Sequence, residues 1–100
     1  MKNNPSWNQK KTKELFEAIL KLKTKEECRK FFRDLCTLEE MAKMADRWQA
    51  VKMINESNLS YREIADQLEM SSTTVTRIAH WLNYGEGGYR LVLKRLGLIS

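Results

Sequence analysis

The chain has 100 residues, a formal net charge of +5 and a pI near 9.4. This length predicts one domain, or one domain with a short tail, whose modest core a second copy could enlarge. No apolar stretch approaches the roughly 18 residues of a membrane span, and the polar, basic residues 1–11 do not resemble a signal peptide. We therefore expect a cytoplasmic protein, for which the basic charge makes a polyanionic partner plausible.

The two cysteines do not predict a disulfide or a metal site. Cys28 and Cys36 lie in one predicted helix, where their spacing corresponds to roughly 12 Å along the axis, too far for a bridge within that helix. We expect reduced, buried thiols. Because the chain has a single His and no CxxC pair, we expect neither zinc nor a cofactor.

The N-terminal part predicts an arm followed by two helices. Residues 1–9 are polar and read as a flexible arm, anchored at most by Trp7. A lysine-rich helix is predicted over residues 10–22, where apolar residues recur at helical spacing. Thr24 and Glu27 form a capping box that opens a second helix, which ends near residue 36.

A third, longer helix begins at another capping box, Thr37 and Glu40, and ends near residues 57–58. Its apolar residues form a clear helical stripe. Together, the three helices carry more apolar surface than one small domain covers easily. We therefore predict that residues 10–58 form the dimerisation helices.

Residues 59–83 predict a helix-turn-helix. Ser60 and Glu63 form a capping box at the start of the first helix. The small residue Ala65 lets the second helix cross closely over the first. Because the cap, the small residue and the turn are all typical of a helix-turn-helix, we interpret this segment as a DNA-reading unit.

The turn between these two helices is the imperfect part of the motif. Glu69 stands where many such motifs have glycine, so that the turn must be αR-like or slightly strained. Either Ser71 or Ser72 can cap the second helix.

The second helix has an apolar face of Val75, Ile78, Ala79 and Leu82 and an opposite face of short polar groups and one arginine. A polar face of this kind suits a helix lying in a major groove, while the start of the preceding helix is placed for phosphates. The predicted DNA-binding residues are Tyr61, Arg62, Ser72, Thr73, Thr74, Thr76, Arg77 and His80.

Residues 84–100 predict a glycine-rich loop and a last short helix. The glycines at 85, 87 and 88 break the helical pattern. A helix is predicted from Tyr89 to Leu96, with Gly97 as its stop. No segment predicts a convincing strand, so the fold class is all-α with about six helices.

From residue 37 to residue 82 the chain resembles the Trp repressor family without a gap, and over its whole length it is most similar to the Trp-repressor-like YerC/YecD proteins. The resemblance implies an intertwined helical homodimer that binds a palindromic operator in double-stranded DNA. It is carried by the following segments: Thr37-Leu-Glu-Glu, Arg47, Leu59-Ser-Tyr-Arg-Glu-Ile64 and Thr74-Val-Thr-Arg77.

The resemblance also locates a ligand pocket. In the repressor, tryptophan lies between the third helix and the recognition helix, and Thr37, Arg47 and Arg77 match residues that help to hold it. A glycine and a serine make room for the ligand there, whereas Ile78 and Trp81 stand in their places here. Because these larger side chains would fill the space, we expect no binding of free tryptophan, and the effector, if one exists, is unknown.

We interpret the chain as a sequence-specific, repressor-like transcriptional regulator. The alternative is a helical protein–protein adaptor without specific DNA binding, but such a partner would more often meet an exposed apolar patch than a polar face. No nucleophile with a base, pair of carboxylates or phosphate loop predicts an enzyme.

Overall fold

The computed structural model describes residues 9–100, and these residues form α-helices without any strand, which confirms the predicted all-α class. The predicted arm, including Trp7, lies outside the described residues except for Gln9. The helices are α1 (Lys10–Ile19), α2 (Lys25–Leu35), α3 (Leu38–Glu56), α4 (Tyr61–Leu68), α5 (Ser72–Tyr84) and α6 (Gly88–Arg95). No helix in this part of the chain is long and apolar enough to cross a membrane.

The chain divides into two compact units, and the boundary between Met41 and Ala42 falls within α3. In the first unit, α1 ends three residues earlier than predicted. Its last turn tightens, because the amides of Lys21 and Leu22 bond to carbonyls only three residues back, at 3.1 and 3.0 Å. Neither α1 nor α2 contains a buried residue.

The helix starts of the first unit follow the predicted caps with one difference. Thr37 and Glu40 form a reciprocal capping box, with bonds of 2.9 and 3.0 Å. Thr24 accepts the Glu27 amide at 3.1 Å, but the Glu27 carboxylate accepts the amide of Lys23 at 2.8 Å instead of that of Thr24. In the capping box predicted at α2, the glutamate therefore bonds to the amide one residue before the expected one.

The expectation of buried cysteines was wrong. Both thiols are free, but Cys28 is exposed and Cys36 is only half-buried. Cys28 lies on α2, which buries none of its residues in the single chain, and Cys36 directly follows that helix. The expectation rested on the usual burial of free cysteines.

The core lies in the second unit, where the inner face of α5 packs between the other helices. The core residues of α5 lie three or four positions apart, which places them on one face of that helix. Six core residues are fully buried, and the five larger ones, all Val, Ile or Leu, each contribute roughly 1.5–3 kcal/mol relative to exposure. The core consists of Ala50, Val51, Ile64, Ala65, Val75, Ile78, Leu82 and Leu93.

The turn after α4 is a Schellman motif that contains a left-handed glutamate. The Met70 amide bonds to the Ala65 carbonyl at 3.0 Å, and the Glu69 amide bonds to the Asp66 carbonyl at 3.4 Å. Glu69 has φ 56° and ψ 41°, so the strained alternative for this turn is the correct one. Gly97 takes the equivalent place after α6, with φ 78°.

Replacing Glu69 by glycine should therefore stabilise the protein. A non-glycine residue in this conformation costs roughly 1–2 kcal/mol, of which the greater unfolded-state freedom of glycine cancels a part. We expect Glu69→Gly to raise the unfolding free energy by about 0.5–1 kcal/mol, measured by urea denaturation at fixed protein concentration.

The matched control is Gly97→Ala. A Cβ at Gly97 would meet no atom within 4 Å, so that only the backbone conformation opposes it. This variant should lose about 1 kcal/mol. A lower or unchanged stability of Glu69→Gly would contradict the assignment of strain to this turn.

Candidate nucleic-acid interface

The first helix of the predicted reading unit starts at a complete capping box. The Ser60 amide donates to Glu63 Oε1 at 2.8 Å, and the Glu63 amide donates to Ser60 Oγ at 3.1 Å. This cap fixes the direction of the first turn of α4. Tyr61 and Arg62 are the first two residues of that turn, and both side chains are exposed.

The second helix, α5, is capped by Ser71, which settles the choice that the sequence left open. Ser71 Oγ accepts the Thr74 amide at 3.0 Å, and Ser72 is the first helical residue. The four residues of the predicted apolar face are all buried. Five predicted contact residues are exposed on α5: Ser72, Thr73, Thr76, Arg77 and His80.

The threonine hydroxyls on this helix differ in their availability. Thr74 is half-buried, and its Oγ1 lies 2.8 Å from Ser71 Oγ, within the cap. Thr76 Oγ1 donates to the Ser72 carbonyl at 3.0 Å. The Thr73 hydroxyl has no hydrogen-bond partner among the described residues, which makes it the threonine hydroxyl most available to a ligand.

Arg62 and Arg77 are exposed cations of this surface. None of the ion pairs described between residues 9 and 100 involves Arg62 or Arg77. His80 packs against Tyr84, with ring centroids 5.2 Å apart. Tyr84 is 78% exposed and extends the same surface by one turn; the sequence reasoning placed it in the loop and missed it.

The predicted ligand-pocket residues of the second unit do not line one common pocket. Arg47 and Thr74 line a groove of about 340 Å³ beside the turn after α4. Ile78 lies in the core, fully buried as expected. Trp81 is 50% exposed and lines a separate cavity of about 510 Å³ with residues of the loop before α6.

The expectation that Trp81 fills the space behind the recognition helix was therefore wrong for the single chain. Val75, Ile78, Ala79 and Leu82 already occupy the inner face of α5, and Trp81 lies at its margin. Arg77 is exposed and lines neither cavity. In the first unit, the Thr37 side chain is engaged in capping α3. Among the described residues, no cluster of side chains could hold a metal ion.

Comparison with known proteins identifies the family. The family described as Trp repressor protein matches residues 10–97. The chain belongs to the Trp repressor family. This membership confirms the resemblance seen in the sequence, and the family is one of DNA-binding regulators rather than enzymes.

Similar proteins come from several bacteria. YerC of Bacillus subtilis (strain 168), an uncharacterised protein, is 39% identical over 87 residues, which cover 87% of this chain and 83% of YerC. A crystal structure of a TrpR-like protein from Eubacterium eligens ATCC 27750 has a TM-score of 0.85 at 36% identity, covering 97% of this chain and 99% of that one. A candidate Trp repressor from Staphylococcus aureus has a TM-score of 0.82 at 34% identity, covering 93% and 92%.

The cap of α4 makes stability depend on pH. The Ser60 backbone amide and then the Ser60 hydroxyl hold the pKa of Glu63 below its ordinary value of 4.5. A lowered folded pKa contributes stability that is present above the unfolded pKa and is lost as the pH falls through the folded one. Glu63→Gln removes this contribution, so its stability deficit should be largest near pH 7 and should shrink from about pH 4.5 downward.

Urea denaturation of both proteins between pH 3 and pH 7 measures this difference. Ser60→Ala serves as the second variant, because it removes the hydroxyl but leaves the backbone amide. The pH dependence of its stability should lie between those of the unmodified protein and Glu63→Gln. A stability deficit of Glu63→Gln that is the same at pH 3 and pH 7 would exclude the charged cap.

Proposed function

We propose that the protein is a sequence-specific, DNA-binding transcriptional regulator of the repressor type, and that α5 is its recognition helix. The observation that carries the proposal is the division of α5 into a buried inner face and an exposed outer face of hydroxyls, an arginine and a histidine. Membership in a family of DNA-binding regulators supports it. Such a regulator would act at the chromosome and therefore in the cytoplasm.

The two helices of the helix-turn-helix, α4 and α5, would make different kinds of contact with DNA. Residues near the start of a recognition helix reach base edges, and an arginine such as Arg77 can bond to a guanine in bidentate fashion. Thr73 and Thr76 offer short polar groups on the same face. Tyr61 and Arg62, at the amino end of α4, are placed for phosphates, where the positive helix end adds to the attraction.

We further propose that two copies of the chain form the functional unit. The first unit has no buried residue in α1 or α2, while Phe16 is 47%, Leu20 81% and Leu35 50% exposed. Apolar helix faces of this extent are normally covered. A symmetric dimer would present two recognition helices to the two halves of a palindromic operator, about one helical turn of DNA apart.

DNA binding should not require tryptophan. Ile78 is fully buried in the core, at the position where the ligand-dependent repressors have a glycine. A ligand can shift the recognition helix only if it binds one orientation of that helix more tightly than another. Because the side chain of Ile78 occupies the space, no room is left for an indole. No effector is assigned.

Selection of bound DNA from a random pool, with and without L-tryptophan, tests these proposals. We expect one enriched palindromic sequence and the same affinity in both arms. Binding that is equal for all sequences would favour the alternative of a protein–protein adaptor, and a tryptophan-dependent affinity would refute the independence from that ligand.

Two substitutions separate base reading from phosphate binding. Thr73→Val keeps the side-chain shape but removes the free hydroxyl, so it should cost about 1–3 kcal/mol and relax specificity at one base-pair position. Arg62→Ala should weaken binding to all sequences alike and reduce the salt dependence by about one charge. Equilibrium binding to the selected operator and its single-base variants measures both effects, and interchanged effects would contradict the assignment.

Sedimentation equilibrium at micromolar concentration should give a mass near twice 11.8 kDa. Phe16→Lys places a charge on the apolar face of α1 and should shift the equilibrium towards the monomer. Glu17→Lys, at the neighbouring exposed position, is the matched control and should leave the dimer intact. A species of only 11.8 kDa in the unmodified protein would rule out the dimer.

A further inference from the structure

The end of α5 is held by an arginine from α6. Arg90 Nε donates to the Leu82 carbonyl at 3.0 Å, and Arg90 Nη2 donates to Asn83 Oδ1 at 2.9 Å. Asn83 in turn donates through Nδ2 to the Ala79 carbonyl at 2.9 Å. We call this arrangement of Arg90 and Asn83 on the Leu82 and Ala79 carbonyls the Arg90 clamp.

The clamp supplies what α5 lacks by itself. The last carbonyls of a helix have no amide partners within it, and its carboxyl end attracts cations. The Gly85 amide bonds to the Trp81 carbonyl at 2.9 Å, and the guanidinium satisfies the next carbonyl, that of Leu82. No basic residue of α5 lies in its own last turn, so Arg90 brings the positive charge from another helix.

The helix that carries Arg90 is itself fixed in the second unit. Leu93 of α6 is fully buried in the core, and Tyr89 packs on Trp48 of α3 with ring centroids 6.3 Å apart. The connection to α5 is tight, because a Cβ on Gly85 would lie 2.5 Å from the Trp81 carbonyl oxygen. Arg90 therefore joins the end of α5 to a firm support.

We infer that Arg90 is a positioning residue for DNA recognition: through the clamp it sets the direction of α5, without touching DNA. The inference rests on the proposed function of α5. Nine residues separate Thr73 from Leu82, which corresponds to roughly 13 Å of helix. A tilt of about 10° over that length displaces one end by roughly 2 Å, enough to break hydrogen bonds to bases.

Arg90→Lys is the main test variant, because lysine keeps the charge but cannot reproduce the two bonds of the planar fork. Asn83→Ala removes one arm of the clamp and leaves the Nε bond to Leu82. Arg95→Lys is the matched control, since Arg95 lies on the same helix, is exposed and has no described partner. Affinity for the selected operator and for unrelated DNA is measured at a temperature where circular dichroism shows every variant folded.

We expect both clamp variants to bind the operator about 5- to 30-fold more weakly, with affinity for unrelated DNA and the salt dependence unchanged within twofold. Arg95→Lys should equal the unmodified protein. The double variant Arg90→Lys/Asn83→Ala should lose less than the product of the single losses, because the two residues act together. Amide exchange of the last turn of α5 should rise in both clamp variants.

Three results would overturn the inference. Full operator affinity of Arg90→Lys would mean that a point charge suffices, as for a phosphate contact. Equal losses on the operator and on unrelated DNA would also mark a direct phosphate contact. A lowered melting temperature with an unchanged ratio of operator to unrelated DNA affinity would leave Arg90 a purely structural role. If the unmodified protein selected no DNA sequence, the proposed function would fail, and this inference with it. If it selected an operator that the clamp variants bound with unchanged affinity, only the inference would be refuted.

Discussion

The burial of one face of α5 is the constraint on which the second unit depends. Val75 and Ile78 are fully enclosed, and side chains from α3, α4 and α6 meet them there. Because an α-helix that buries one face must present the other, this packing also determines which residues remain available for a ligand. The same side chains that stabilise the unit therefore orient its polar surface.

The two ends of α5 are secured by different chemistry. At the amino end, Ser71 satisfies an amide of its own first turn, a bond between residues that are close in sequence. At the carboxyl end, Arg90 reaches back across the glycine loop to a carbonyl eight residues earlier. The first device depends on local sequence alone, whereas the second requires α6 to be in place. The orientation of α5 is thus a property of the whole second unit.

This difference explains what the sequence could and could not predict. The caps at Thr37 and Ser60 and the apolar spacing of α5 are local, so that the helix-turn-helix and its buried face were predicted correctly. Burial of Cys28 and Trp81 was predicted wrongly, because the first expectation came from the usual behaviour of free cysteines and the second from a family resemblance, and neither shows whether a side chain is covered in this chain. The Arg90 clamp was missed altogether, since nothing in the composition of a glycine-rich loop indicates which side chain will fold back across it. The DNA contacts remain predictions, although the structure ranks their hydroxyls by availability.

The uncovered helices of the first unit have a consequence for the order in which the protein is assembled. Residues 10–35 leave the ribosome before the second unit, yet in the single chain α1 and α2 bury no side chain. The second unit, by contrast, has its own core and can form within one chain. In the proposed dimer, the final ordering of α1 and α2 becomes a bimolecular step whose rate rises with protein concentration. The helices α1 and α2 would then mature after the second unit, and the amount of protein in the cell would set how quickly a functional regulator accumulates.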